Sequence, residues 1–302
     1  MQEKYKYYIE SLRLERWPRS LAILPGYIAA IVLLPKETKS FSLLQLILFP
    51  FAAYILTLLV STANYIINEI ADAPFDAYHP AKKERPLVKG VISAKILMII
   101  WSIIIVFTSV AAYLIFHSRN LLITLGTLLL AGILYNIPPI RIKDIPFLDS
   151  TLESANNPIR FLIGWVVIAG NSFPWWLLIS WWAFGNFLMI GKRVAEKKFL
   201  SSDESSSYRR SLSRYTQRSL FVFMILNALI FLVTFALFAI GSGMNTFLYS
   251  IPFIIIYLIM FIKKSLQDID GAEEPEKLLK NPYFALYTLF LVAIFLLAYI
   301  LK

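Results

Sequence analysis

Apolar runs of about 20 residues, the length that crosses a bilayer as a helix, alternate with short polar stretches from one end of the chain to the other. The pattern predicts helices near residues 20–35, 42–69, 94–116, 120–137, 147–169, 174–191, 219–240, 247–263 and 283–301. The expected fold class is therefore all-α integral membrane, with nine transmembrane helices and one membrane domain over residues 1–302. The stretches 71–93 and 192–218 read as substrate-binding loops between spans. Residues 1–19 interleave Lys4, Lys6, Arg13 and Arg16 with Tyr5, Tyr8, Leu12, Leu14 and Trp17, which suits an amphipathic segment lying in the membrane interface.

Composition removes the soluble alternatives. Of 302 residues 58% are hydrophobic and 16% charged, against roughly 25% charged in a soluble domain. Cysteine is absent and the histidines are His79 and His117 alone, so thiolate and His-rich metal sites are excluded and a metal would be held by oxygen. Catalysis through a histidine base is disfavoured for the same reason. The net charge of +10 is one-sided: the loops that fall on the amino-terminal side hold 23 Lys or Arg, those opposite hold 4. The positive-inside rule then puts the amino terminus in the cytoplasm, with the basic loops at the inner face of the cell membrane. Cations on loops between spans, beside acids, point to anionic lipid or phosphate rather than nucleic acid. Trp175, Trp176, Trp181 and Trp182 read as an aromatic belt on the other side.

At the end of the second span Asn68, Asp72 and Asp76 stand four residues apart, on one face of a helix, with Glu69 beside them. Pro74 predicts that the helix ends or kinks there and that Asp76 sits on a loop. Amide and carboxylate oxygens suit Mg2+, which keeps waters and shares its other positions with substrate phosphates. Lys83 and Arg85 follow closely and supply cations for the same phosphates. Carboxylates and cations at a membrane end are also what a merely solvated loop contains; the regular spacing at a helix terminus favours a diphosphate site. In the fifth span Asp149, Glu153, Asn156, Asn157 and Arg160 make one side polar. Arg160 is expected either to line a hydrated cavity or to pair with Glu153. Lys192 and Arg193 read as phosphate grips with Glu196 to orient them or bind metal, or else as cations snorkelling at the interface.

The stretch Asn68–Gly90, NEIADAPFDAYHPAKKERPLVKG, resembles the first aspartate-rich motif of the UbiA superfamily of intramembrane prenyltransferases, with Glu69 where many members have Asp. The similarity continues in Tyr135, Pro138, Pro139, Arg141 and Lys143. Where a second aspartate motif is usual, Gly191–Glu196 departs from the aromatic prenyltransferases. With Tyr208, Arg209, Arg210, Ser211, Leu212, Tyr215, Asp268–Gly271 and Glu274–Glu276 it resembles the branch typified by decaprenyl-phosphate phosphoribosyltransferases.

The resemblance implies a UbiA-type bundle, Mg2+-bound diphosphate on the cytoplasmic side and a lipid tail running between helices. Carried onto this sequence, it gives Asn68, Glu69, Asp72 and Asp76 as metal ligands, Asp72, Asp76, Arg85 and Lys143 as catalytic, and Asn68, Lys83, Arg85, Tyr135, Arg141, Lys143, Arg160, Lys192, Arg193 and Glu196 as substrate-binding. The partners implied are an isoprenoid lipid, polyprenyl phosphate or diphosphate, and a small phosphorylated or aromatic co-substrate. Phosphoribosyl transfer to polyprenyl phosphate is the leading expectation, and prenyl transfer to a small acceptor is the alternative. A transporter using the intramembrane charges, or a lipid-binding scaffold without turnover, are the readings from other classes.

Overall fold

The computed structural model describes residues 2–77, 82–199, 210–267 and 281–301. His79, Ser201–Ser207, Tyr208, Arg209, Asp268–Gly271 and Glu274–Glu276 lie outside them. The helices are α1 (Gln2–Ser11), α2 (Ile23–Leu33), α3 (Pro35–Thr38), α4 (Leu43–Asp76), α5 (Ala94–Phe116), α6 (Arg119–Asn136), α7 (Leu148–Val166), α8 (Trp175–Phe199), α9 (Arg210–Ser213), α10 (Gln217–Gly241), α11 (Ile251–Gln267) and α12 (Pro282–Ile300), and no strand occurs among the described residues.

Among the described residues six helical stretches are long and apolar enough to cross a membrane: α4, α5, α6, α10, Asn245–Gln267 and α12. They carry outward apolar rows such as Ile99, Ile103 and Val106 on α5 and Leu286 and Leu289 on α12, each more than half exposed, which is the surface lipid requires. The other three expected spans are helices of a different character. α2 has 11 residues, about 16 Å of rise by itself, follows directly on the 3-10 helix Leu14–Ala22, and ends where Pro35 forces Leu34 out of helical geometry at φ −124. α7 and α8 carry the buried charges described below.

The chain forms two compact units, one of Met1–Ile142 with Asn156–Phe173, the other of Lys143–Ala155 with Pro174–Lys302. In the first, α4 packs on α5 and α6. Small residues set the spacing: a Cβ on Gly132 would stand 2.2 Å from Asn64, whose Nδ2 donates to the Leu128 carbonyl at 2.8 Å. The α2 and α7 backbones are nearer still, since Cβ atoms at Gly26 and Gly164 would meet the Phe161 and Ile23 carbonyl oxygens at 1.8 and 1.9 Å. α1 is amphipathic, with Tyr7 and Tyr8, and Leu12 just after its end, on the cluster of Ile66, Ile92 and Leu97 and Tyr5 and Ile9 exposed.

In the second unit α8 packs on α10 and α11 around an aromatic core that includes Phe187, Phe235 and Phe261. Inside it Asn186 Nδ2 donates to Asn227 Oδ1 at 3.0 Å, and Asn227 Nδ2 donates to the Phe223 carbonyl at 2.8 Å, the pairing that buried amides require.

Candidate functional site

The last turns of α4 place Asn68, Glu69, Asp72 and Asp76 on one continuous helix. The expected break at Pro74 does not occur, and Asp76 is helical rather than on a loop. Pro74 sits in the final turn, where its missing N–H removes one bond, and the Ala77 N–H still reaches the Ala73 carbonyl at 3.3 Å. The stretches expected as loops likewise begin inside helices, since α4 runs to Asp76 and α8 to Phe199.

Each acid in this first cluster meets a guanidinium. Arg85 Nη1 donates to Asp76 Oδ2 at 2.6 Å and to Glu69 Oε2 at 3.5 Å. Arg13 Nη2 donates to the same Glu69 oxygen at 3.1 Å, so Glu69 is buried between two cations. Arg141 Nη2 donates to Asp72 Oδ1 at 2.9 Å. Its Nη1 reaches the Ala71 and Asn136 carbonyls at 3.2 and 3.3 Å, and its plane lies 3.9 Å from the centre of the Phe75 ring. The backbone of Arg141 has φ 35, a left-handed conformation that costs a non-glycine residue about 1–2 kcal/mol and that these contacts hold. Asn68 is half-buried one turn before Asp72, Tyr135 is half-buried in the last turn of α6, and Lys83 is exposed. Lys89 pairs with Glu84 in the loop that returns Arg85 to α4; that hydrogen bond and charge hold the Glu84 carboxyl below the usual carboxylate range.

The donor set is compatible with Mg2+ of the kind that takes one or two carboxylates. Asn68, Asp72 and Asp76 offer oxygen at one-turn spacing, and substrate phosphates and water supply the remaining positions. Among the described residues no three acidic or histidine side chains converge into an all-protein cage, as that mode of binding does not need one.

The second unit holds a different cluster. Arg193, 1% exposed, donates from Nε to Asp149 at 3.3 Å, from Nη2 to Glu153 at 3.1 Å and from Nη1 to Glu196 at 2.8 Å. Lys192 Nζ stands 3.9 Å from Glu196. Asp149, fully buried, also accepts from Ser211 Oγ at 3.0 Å and from the Tyr215 hydroxyl. Burial and the Asp149 charge push the Tyr215 phenol well above its ordinary value. Glu153 is thus the partner of Arg193, and the sequence expectation of an Arg160–Glu153 pair is not met. Arg193, expected at a phosphate, has its charge more than balanced by three carboxylates. Lys143, in the one-turn 3-10 helix Ile142–Asp144, is the first residue of the same unit.

Arg160, in the first unit, has a weak 3.5 Å bond from Nη2 to Ser61 Oγ, and its buried Nε has no acceptor. Arg13 and Phe75 were not singled out as site residues from sequence. Arg13 pairs 56 positions away, a distance that no local spacing reports.

The chain matches the UbiA prenyltransferase family over residues 23–285. It is 26% identical over 275 residues to the decaprenyl-phosphate phosphoribosyltransferase of Mycobacterium tuberculosis, covering 89% of this chain and 85% of the relative. It is 25% identical over 232 residues to the enzyme of the same name from Mycolicibacterium smegmatis, covering 76% and 69%. Its fold resembles that of a UbiA homolog from Archaeoglobus fulgidus bound to GPP and Mg2+, with TM-score 0.65, 17% identity and coverage of 97% and 99%. It also resembles a UbiA homolog from Aeropyrum pernix, with TM-score 0.61, 15% identity and coverage of 94% and 98%. The all-helical membrane architecture, the aspartate-bearing end of α4 and these likenesses together establish the chain as a membrane transferase of the UbiA prenyltransferase family.

Proposed function

We propose that the protein transfers a phosphoribosyl group from phosphoribosyl pyrophosphate to a polyprenyl phosphate in a Mg2+-dependent reaction. The observation that carries this is the Asn68–Asp72–Asp76 face of α4 with Arg85 and Arg141 already drawn onto its acids. The relatives named decaprenyl-phosphate phosphoribosyltransferase support the choice of substrates, and the Mg2+ bound by the A. fulgidus homolog supports the metal.

In this reading the C1–oxygen bond of the donor breaks, a lipid phosphate oxygen forms the new bond to C1, and pyrophosphate leaves. The acceptor is already an anion, so no protein base is required, in keeping with the scarcity of histidine. When bound by Asn68, Asp72 and Asp76, Mg2+ supplies charge stabilisation for the leaving pyrophosphate. Arg85 and Arg141 exchange carboxylate for phosphate oxygens as substrate enters, for guanidinium forks recognise either anion. Glu69 keeps Arg13 and Arg85 in place, and Lys83, Tyr135, Lys143 and Lys192 are further phosphate-binding candidates. Arg193 and Glu196 act as a buried strut beneath Lys192. Nine crossings with a cytoplasmic amino terminus and an inner-face site belong to the same proposal, supported by the 23 to 4 distribution of basic residues.

The test is to supply purified protein with Mg2+ and either phosphoribosyl pyrophosphate plus polyprenyl phosphate, or polyprenyl diphosphate plus an aromatic acceptor, and to weigh the lipid product. A lipid carrying a pentose phosphate is expected from the first pair. Product from the second pair alone overturns the substrate assignment.

A further inference from the structure

The first unit sorts its arginines into two groups. Arg13, Arg85 and Arg141 each have a carboxylate within 3.1 Å. Arg16, Arg19, Arg119 and Arg160 have no ion pair among the described residues, and two of them, Arg16 and Arg160, reach neighbouring turns of α4. The Arg16 guanidinium lies over the Tyr65 ring, 5.8 Å from its centre. Arg160 donates from Nη2 to Ser61 Oγ, one turn from Tyr65, and is near enough to Arg19 for the two charges to repel.

Burying a charged group without a partner is costly. Here the buried Nε of Arg160 lacks any acceptor, although such groups are nearly always satisfied. Arg16 and Arg160 meet neighbouring turns of α4 with no acid paired to them among the described residues, and one shielded donor is unfilled, which calls for an added anion.

Position argues that this anion belongs to a lipid. Ser61 and Tyr65 lie on the same face of α4 as Asn68 and Asp72, about 10–16 Å further along the helix from Asp72 at 1.5 Å per residue. The 3-10 helix Leu14–Ala22 that carries Arg16 and Arg19 also exposes Leu14, Trp17 and Leu21. That apolar outer surface suits acyl chains while Arg16 turns to Tyr65 of α4, the arrangement of a segment that receives an amphiphile.

We propose that Arg16, Arg19 and Arg160 seat the phosphate monoester headgroup of the isoprenoid acceptor, apart from the diphosphate held at Asp72 and Asp76. The identity of the lipid rests on the function proposed above; the anion seat itself does not. A phosphate monoester is also present at the ribose 5-position of the donor, so the two sources require separate arms.

Binding of farnesyl phosphate, farnesol and ribose 5-phosphate to the full chain in detergent, without Mg2+ or donor, is followed by intrinsic tryptophan fluorescence. Loss of one charge-assisted hydrogen bond corresponds to roughly tenfold to a hundredfold weaker binding. Arg160→Gln is expected to weaken farnesyl phosphate by that factor, and the exposed Arg19→Gln to weaken it in the same direction, with farnesol unchanged in both. Equal farnesyl phosphate affinity in wild type and both variants overturns the seat, and so does displacement of farnesyl phosphate by ribose 5-phosphate at comparable concentration. Arg160-dependent farnesyl phosphate binding in a protein that does not turn over phosphoribosyl pyrophosphate supports the seat while removing the phosphoribosyl reading. Turnover with binding indifferent to Arg160 and Arg19 does the reverse.

Discussion

Replacing Arg193 by alanine takes away the guanidinium that joins Asp149, Glu153 and Glu196 at 3.3, 3.1 and 2.8 Å. Asp149 and Glu196 are at most 1% exposed, so water cannot take the place of the lost donors. Breaking a buried pair by deleting one partner costs about 3–5 kcal/mol, since the other charge is left stranded, and here more than one carboxylate is stranded. At roughly 2–4 °C per kcal/mol for a domain of this order of size, the apparent unfolding temperature falls by about 6–20 °C. Arg193→Lys restores the charge but not the fork, and is expected to lie between wild type and alanine. Lys192→Ala is the control: its 3.9 Å contact is partly exposed and is worth less than about 1 kcal/mol. Thermal unfolding in detergent, followed by tryptophan fluorescence, reads all three. An Arg193→Ala protein that melts with wild type and loses substrate binding would falsify the strut and return Arg193 to the role of phosphate ligand.

Asp72→Ala and Asp76→Ala are each expected to reduce turnover at least about a hundredfold while the protein elutes as a folded species; retained turnover in both would remove the metal assignment. Arg141→Lys loses the stack on Phe75 and the backbone bonds that hold φ 35, and is expected to cost about 1–3 kcal/mol in unfolding free energy and to lower turnover together. Gly164→Ala drives a methyl into the Ile23 carbonyl, 1.9 Å from the ideal Cβ position, with an expected loss of about 1–3 kcal/mol seen as a lower melting temperature. The Tyr215 phenol is raised in the folded state, so its contribution is complete below the ordinary tyrosine value near 10 and is lost as pH rises through the higher folded value. Wild-type melting temperature should therefore decline more steeply than that of Tyr215→Phe on the alkaline side.

Much of the helix inventory was legible because a bilayer accepts only segments whose backbone bonds close internally, which imposes apolar runs of nearly fixed length. The run from Leu43 announced α4 in this way, but Pro74 was read by a rule for helix interiors that does not apply in a final turn, where one lost bond is tolerated. α2, α7 and α8 show the limit of hydropathy, since length and polarity there answer to partners and not to lipid. The acids of α4 were found through their spacing, a local property. Their arginine partners were only partly legible: Arg85 is nearby in sequence, whereas Arg13 and Arg141 come from 56 and 69 positions away. Glu153 makes the same point, for helical arithmetic offered Arg160 on its own helix, while the structure supplies Arg193 from 40 positions on.

The central claim is that a divalent cation links the acids of α4 to the departing diphosphate. Mn2+ in place of Mg2+ reports this directly, because a paramagnetic ion broadens the phosphorus resonances of a diphosphate bound beside it. In wild type, protein-dependent broadening of the pyrophosphate resonance beyond that of free Mn2+–pyrophosphate is expected, and its loss in the combined Asp72→Ala and Asp76→Ala protein. Equal broadening in the two proteins would contradict the account.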